Sequence, residues 1–231
     1  QKKALMQQLL TGKKRLLDNS GKPFEGMWKE VRFDELCDVN PRKPNEPQDG
    51  FVSFIPMDAV SEDAKLKRAD IKPYSEVSKG FTSFRNTDTM IAKITPCFEN
   101  GKGAYVDNLK NGIGFGSTEF HVLRAKEGIH PKFIYYLTLT REFRVKGEMN
   151  MQGSAGQKRV TTDYLKLFTV MAPTHYIEQQ KIASVLTNAD KEIELLEQQL
   201  ADLKQEKKAL MQQLLTGKRR VKVEQSDLKA S

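Results

Sequence analysis

The sequence is poor in the residues that carry metal, disulfide and membrane chemistry. Its 231 residues include only two cysteines, three histidines and one tryptophan. Two cysteines cannot build the disulfide framework of a small secreted domain, and Cys37 and Cys97 have no neighbours at the spacing of a zinc site. No run approaches the roughly 18 apolar residues that span a membrane, and the first residues lack a signal-peptide core. These absences favour a reduced, cytoplasmic protein.

The sequence also lacks the patterns of common catalytic sites. His121, His130 and His175 stand apart from cysteine and carboxylate partners at ligand spacing. The stretch GIGFGS (112–117) resembles a phosphate loop, but a predicted strand follows it where such a loop requires a helix. The stretch NPRK (40–43) lacks the second proline and the aromatic residue of amino-methyltransferase motifs. The acidic residues form no two-metal cluster. We therefore expect a non-catalytic chain with no metal and no cofactor.

Positive charge is present in moderate excess. The chain has 38 lysines and arginines against 30 aspartates and glutamates, a net charge of +8. Such an excess is compatible with nucleic-acid binding but is by itself a weak indication of it. Residues 1–27 carry +4 of the excess and residues 28–173 only +3, so a DNA-binding surface in the central part would depend on where individual side chains lie.

A nearly identical segment stands at each end of the sequence. Residues 1–15 and 206–220 share 13 of 15 positions. The second copy ends a heptad pattern of apolar residues at alternating spacings of four and three, which predicts a coiled-coil helix. This seam comprises Ile182, Leu186, Ala189, Ile193, Leu196, Leu200, Leu203, Lys207, Leu210 and Leu214. The first copy repeats its last part with Lys2, Leu5 and Leu9, and a helix this short is expected to dock against another helix.

These patterns predict four segments. Residues 1–27 read as a helix end followed by a linker, and 28–173 as a domain of α+β (mixed α/β) class. Residues 174–217 read as a long coiled-coil helix, and 218–231 as a polar, disordered tail. In the central domain, strands are predicted at 51–57, 89–94 and 117–125, and one helix from 131 to about 147.

Three stretches of the central domain are rich in side chains that suit contacts with duplex DNA. They are 93–106, the glycine-hinged loop 114–120, and 151–165, which we interpret as a flexible loop. Lysine, arginine and hydroxyl groups suit phosphates, whereas glutamine, asparagine and arginine suit base edges. Ordinary polar surface loops remain the alternative. The candidate DNA-binding residues are Lys93, Thr95, Asn100, Lys102, Ser117, Thr118, Gln152, Ser154, Gln157, Lys158, Arg159 and Thr161.

Taken together, these motifs resemble the specificity subunits of type I restriction-modification systems. GSAGQKRVTTDYLKLFTVMAPTHYIEQQKIASVL (153–186) is similar to the junction between a target-recognition domain and a conserved helix. KITPCFENGKGA (93–104) and GFGSTEFHVLR (114–124) are similar to motifs of those recognition domains. One departure is APTHYIEQQ (172–180), where family junctions often read Pro-Pro-x-x-Glu-Gln-Gln.

The resemblance implies a DNA-binding module that reads one half of a bipartite site without catalysis of its own. Its implied partners are double-stranded DNA, adenine methyltransferase subunits and a restriction motor-nuclease subunit. With one recognition domain, the chain is expected to be either a half-subunit that forms a homodimer through its helices or the C-terminal half of a longer chain. Two alternatives stay open: a coiled-coil assembly protein that binds no DNA, and the specificity domain of a fused methyltransferase-nuclease.

Overall fold

A computed structural model of the chain describes residues 2–18, 20–154 and 156–220. The chain divides into two compact units, Gln1–Leu186 and Thr187–Ser231. The predicted disordered tail begins at residue 218, and its residues 221–231 lie outside the described residues. In the second unit, Thr216 and Gly217 end the last helix, with the Thr216 hydroxyl donating to the Gln212 carbonyl at 2.6 Å.

The described residues form seven α-helices and twelve short strands. The helices are α1 (Lys2–Leu9), α2 (Phe33–Leu36), α3 (Tyr74–Val77), α4 (Pro131–Thr138), α5 (Arg141–Met149), α6 (Thr162–Leu167) and α7 (Tyr176–Leu215). The strands are β1 (Trp28–Arg32), β2 (Cys37–Val39), β3 (Phe51–Ile55), β4 (Asp70–Pro73), β5 (Thr82–Arg85), β6 (Thr89–Ala92), β7 (Gly103–Tyr105), β8 (Ile113–Gly116), β9 (Phe120–Ala125), β10 (Met151–Gln152), β11 (Arg159–Val160) and β12 (Thr169–Pro173). The predicted mixed class, long C-terminal helix and short N-terminal helix are confirmed.

Two four-stranded sheets form the centre of the first unit. One has the order β2-β9-β6-β7 and is antiparallel throughout, and the other has the order β4-β3-β8-β5 with a parallel β3–β8 pair. Strands of both sheets contribute fully buried side chains, such as Phe84 and Met90, to one apolar cluster. Burying these side chains is the main stabilising contribution to this layer.

A helical layer shares a second and larger core with the first sheet. Ile91 and Leu123 enter this core from the sheet, and Phe33, Phe143 and Phe168 enter it from the helical side. The three phenylalanine rings lie with their centroids 5.2 to 5.6 Å apart, which is the spacing of favourable aromatic pairs. This core holds α5 and α6 against the sheet β2-β9-β6-β7.

The predicted loop at 114–120 is in part a buried strand. Residues 113–116 form β8, which lies between β3 and β5, and β9 begins only at Phe120. The glycines misled the prediction because they serve close packing here. A Cβ on Gly114 would meet the ring of Phe84, and one on Gly116 would meet the carbonyl oxygen of Ile55.

The single helix predicted from 131 to about 147 is two helices. The Thr140 hydroxyl donates to the Leu137 carbonyl at 2.8 Å and accepts the amide of Phe143 at 3.3 Å. Thr140 therefore caps the start of α5, directly after α4 has ended. Apolar periodicity continues across this break, so the pattern alone did not reveal it.

The N-terminal copy of the repeated segment is docked on the first unit. Met6, Leu9 and Leu10 are buried in the same core as Ile182 and Leu186 from the start of α7. An ion pair between a partly exposed arginine and a buried carboxylate adds to this docking. The Arg15 guanidinium donates from Nε and Nη2 to the carboxylate of Glu178, at 3.0 and 2.7 Å, and Trp28 Nε1 donates to the same carboxylate at 3.2 Å.

The predicted seam residues differ in exposure between the two units. In the first unit Leu9 and Leu186 are fully buried, and Leu5 is partly buried against the core. In the second unit Ile193 and Leu210 are partly exposed and Lys207 is exposed. The other four are 42 to 62 % exposed: Leu196, Leu200, Leu203 and Leu214. Such an apolar row is the surface that a partner helix covers in a coiled coil.

Candidate nucleic-acid interface

The loops at one end of the sheet β2-β9-β6-β7 come together because their strands are paired in register. Ala92 pairs with Phe120, and Ile91 pairs with Gly103. The amide of Asn40, directly after β2, donates to the carbonyl of Val122 at 2.7 Å. Residues 40–43, 93–102 and 117–119 therefore lie at the same end of the sheet. Together with residues 151–154 and 156–161, these segments are called the polar edge.

The segment that was predicted as a flexible loop is a hairpin joined to this edge. Strand β10 pairs with β11, and Arg159 also forms a bridge with Ile94. The Thr95 amide donates to the Lys158 carbonyl, and the Val160 amide donates to the Lys93 carbonyl, both at 2.9 Å. These backbone bonds bring side chains that are distant in sequence onto a single surface.

An ion pair links the hairpin to the loop before β9. Arg159 Nε donates to Glu119 Oε2 at 3.0 Å, and Nη2 donates to Oε1 at 2.8 Å. The Arg159 guanidinium holds the pKa of Glu119 below its ordinary value, chiefly through this hydrogen bonding, and the carboxylate raises the pKa of Arg159. Two N–H donors on two carboxylate oxygens make a planar, oriented pair.

A second link runs through the buried imidazole of His121. Asn40 Nδ2 donates to His121 Nδ1 at 3.0 Å, so the proton is placed on Nε2, which donates to the Val160 carbonyl at 2.8 Å. The side-chain oxygen Oδ1 of Asn40 accepts the backbone amide of Val122 at 3.0 Å, which fixes the orientation of the Asn40 side-chain amide. Burial is the main cause that lowers the pKa of His121. The neutral ring thus joins β2, β9 and β11.

Acidification is expected to weaken this link. Because the folded pKa of His121 lies below its ordinary value of 6.5, the unfolded chain binds the proton first. The free energy of unfolding should therefore fall as the pH drops from 7 through 6.5 toward the lowered folded pKa. Urea unfolding at a series of pH values measures this loss.

The substitution Asn40→Asp should reverse the sign of the effect. A carboxylate accepts a proton from Nδ1 of a charged imidazole, which raises the pKa of His121, and Asp also tolerates the positive φ of residue 40. Stability of this variant should rise as the pH falls from 8 to 6. The pKa of His130 is also lowered by burial, and this residue is the same in both proteins. Its contribution to the pH dependence of stability is therefore common to both, and the difference between the two slopes reports on His121. The same pH slope in both proteins would contradict the role of His121.

All twelve candidate residues lie on the polar edge, and some of them are already engaged. The Thr95 hydroxyl donates to the Glu99 carboxylate at 2.9 Å, Nδ2 of Asn100 donates to the Glu62 carboxylate at 3.0 Å, and the Thr161 hydroxyl caps α6. Exposed positions are Asn100, Thr118, Gln152, Ser154, Gln157 and Lys158. Partly exposed positions are Lys93, Thr95, Lys102, Ser117, Arg159 and Thr161.

Several residues that the structure brings to this edge were not predicted from the sequence. Asn40 stands in an Asn-Pro stretch that lacks the full amino-methyltransferase motif, and Glu119 stands directly after the candidate positions Ser117 and Thr118. Arg42 is exposed and has no ion pair or hydrogen bond with any described residue. The Asn-Pro turn at 40–41 was the available signal, since asparagine is favoured at the positive φ that residue 40 adopts.

Metal-ligating side chains do not gather in the described part of the chain. No group of three or more histidine, cysteine, aspartate or glutamate residues there could hold a metal ion. Within the described ranges, no helix is long and apolar enough to cross a membrane.

Comparison with known proteins decides the family. Residues 25–205 match the family described as Type I restriction modification DNA specificity domain. The chain belongs to this family. Two similar proteins from Escherichia coli are the type I restriction enzyme EcoAI specificity subunit and the EcoEI specificity subunit. They are 38 % identical over 182 residues and 34 % identical over 184 residues, respectively. Each alignment covers 77 % of this chain but only 31 % and 30 % of the relatives' own lengths.

Solved structures of this family's systems share the fold. A chain from a type I restriction-modification system matches with a TM-score of 0.58 at 17 % identity, over 90 % of this chain and 49 % of that one. The HsdS subunit of Thermoanaerobacter tengcongensis matches with a TM-score of 0.56 at 15 % identity, over 92 % and 49 %. The polar edge is therefore part of a DNA specificity domain with the fold of a type I specificity subunit.

Proposed function

We propose that this chain is a non-catalytic specificity subunit, or part of one, that binds double-stranded DNA at the polar edge and reads one half of a bipartite site. The observation that carries the proposal is the convergence of four separate segments at one end of a sheet. Their exposed side chains combine cations for phosphates with amides and hydroxyls for base edges. Membership of the family supports DNA as the ligand.

The proposal extends to two kinds of protein partner. As a specificity subunit, the chain would position adenine methyltransferase subunits on the target site and connect them to a restriction motor-nuclease subunit. Its own contribution would be binding and orientation, since chemistry on the base belongs to the partners. Leu196, Leu200, Leu203 and Leu214 support association through the long helix, because exposed leucines at heptad spacing gain from being covered. A second copy of the chain or another conserved helix would cover them.

Selection of bound duplexes from a randomised pool tests DNA reading directly. The whole chain should enrich one short sequence, and its affinity should fall steeply as salt rises, because phosphate contacts release counterions. Association that is independent of salt, or binding without any enriched sequence, would contradict the proposed function. Co-purification with a methyltransferase subunit, followed by mapping of adenine methylation, tests the assembly role.

Arg42 is expected to contribute a phosphate contact that the sequence motifs did not suggest. The loop that carries it is held at both ends. The backbone amide of Asn40 donates to the Val122 carbonyl at 2.7 Å, and the Tyr74 hydroxyl donates to the Pro44 carbonyl at 3.0 Å. The substitution Arg42→Gln should reduce the slope of log affinity against log salt by about 0.9. It should weaken binding to all sequences alike.

A matched control is available on another strand. Arg85 is also exposed, and it pairs with Ile113, the first residue of β8. The polar edge follows Gly116, the last residue of that strand, so Arg85 lies at the other end of β8. Arg85→Gln removes the same charge and should leave the salt slope unchanged. Equal changes of the salt slope in the two variants would show that only the net charge matters, and would contradict a phosphate contact by Arg42.

A further inference from the structure

Arg159 differs from the other cations of the polar edge because most of its donors are already engaged. A guanidinium carries five N–H groups. Nε and Nη2 donate to Glu119 at 3.0 and 2.8 Å, and Nη1 donates to the Gln157 carbonyl at 3.1 Å. Two N–H groups are left, one on each terminal nitrogen, without a partner among the described residues. The side chain is 41 % exposed, so it is open in part to a ligand.

The position of this guanidinium is fixed from both directions. The backbone of Arg159 pairs with Gln152 in the hairpin and with Ile94 at the end of β6. Its carboxylate partner, Glu119, is held in turn by Ser117, whose hydroxyl accepts the backbone amide of Glu119 at 3.2 Å. A donor pair held in this way loses little side-chain entropy when it binds, which favours selective recognition.

The charge of Glu119 argues against a phosphate as the ligand of Arg159. The carboxylate compensates the positive charge of the guanidinium and would repel a phosphate placed beside it. A base edge is uncharged and requires only aligned donors. In the major groove, guanine presents the acceptors O6 and N7 side by side, and a two-donor arginine matches this pair.

We propose that Arg159, oriented by Glu119, reads a guanine in the major groove through its two remaining N–H groups. The inference rests on the proposed DNA-binding function and specifies one base of the half-site. Glu119 acts as a positioning residue, because it holds the arginine plane. Its negative charge also disfavours a DNA phosphate as the ligand of Arg159. Lys158, next in the chain and exposed, has no such partner among the described residues and would serve as the phosphate contact.

The test uses the duplex selected by the unaltered chain and a series of duplexes with one base pair changed in each. Arg159→Gln should lose roughly 5- to 100-fold of discrimination at one G·C pair and leave the other positions unchanged. Lys158→Gln, the matched control, should weaken binding to every duplex by a similar factor. Glu119→Gln should increase affinity for unrelated DNA and reduce discrimination at the same G·C pair.

Three results would overturn the inference. One is that Arg159→Gln weakens all duplexes equally and reduces the salt slope by about one, as a phosphate contact does. Another is that its effect falls on a base pair other than G·C. In both cases the DNA-binding function stands. If the unaltered chain selects no sequence, the proposed function fails as well. Retained binding to unrelated DNA at low salt shows that the Arg159→Gln variant is folded, which keeps the comparison valid.

Discussion

Glu178→Ala is expected to lower the free energy of unfolding by about 2–3 kcal/mol. The Glu178 side chain is only 1 % exposed, and it accepts donors from both Arg15 and Trp28. Removing it leaves a cavity and an indole N–H without its acceptor. The figure is set at the low end for a broken buried pair, because Arg15 is 30 % exposed and water would solvate its charge. Urea unfolding followed by the fluorescence of Trp28, the single tryptophan, measures the loss.

Two further variants separate the parts of this effect. Glu178→Gln keeps an acceptor for Trp28 but removes the charge that faces Arg15, so its loss should be smaller. A double-mutant cycle with Arg15→Ala should give a coupling of about 1 kcal/mol. Glu127→Ala, at an exposed position, should change stability by less than about 0.5 kcal/mol. Additive effects of the Arg15 and Glu178 substitutions would contradict the ion pair as the anchor of the N-terminal copy.

Arg144→Met is expected to lower the free energy of unfolding by about 3 kcal/mol and to weaken DNA binding as well. Its guanidinium donates to the carbonyls of Thr138, Phe98 and Gly101, at 3.0 to 3.2 Å, and lies over the Phe98 ring. Burial lowers the pKa of Arg144 to about 10, so it stays charged at neutral pH. Losing it removes the side-chain donor from three carbonyls, although the Phe98 carbonyl keeps the Gly101 amide as a donor, and it frees the 96–102 turn of the polar edge.

The conservative variant Arg144→Lys distinguishes packing from hydrogen bonding. Lysine keeps the charge but cannot reach three carbonyls from one plane, so part of the loss should remain. Both variants should affect discrimination between DNA sequences more than affinity for unrelated DNA, because they move a loop without removing a phosphate contact. Unfolding in urea and binding to the selected duplex are the two measurements. Full stability of Arg144→Met would show that the turn holds its shape without this side chain.

Local patterns in the sequence were sufficient for the elements that depend on local physics. The heptad spacing predicted α7, and the repeated segment predicted α1. Short apolar runs identified β3, β6 and β9. The resemblance to specificity subunits, carried by the motifs at 93–104, 114–124 and 153–186, led to the family that the comparison shows. The twelve candidate residues were chosen by chemical type, and the structure gathers them at one edge.

What could not be predicted depends on pairs that are distant in the chain. The Arg15–Glu178 pair spans 163 residues, and the Asn40–His121 contact spans 81. No local sequence pattern distinguishes Arg144 from the exposed arginines, because its partners are the carbonyl at the end of α4 and two carbonyls of the 96–102 turn. The glycines of β8 looked like hinges because a sequence does not show that Phe84 and Ile55 pack against them.

Hydrogen exchange of the whole chain with and without its selected duplex tests most directly whether the polar edge is the DNA-reading surface. Binding is expected to slow exchange of amides in residues 40–43, 93–102, 117–119 and 151–161. Residues 187–215 of the long helix should exchange at the same rate in both states. Slowed exchange confined to that helix, with none at the polar edge, would contradict the account.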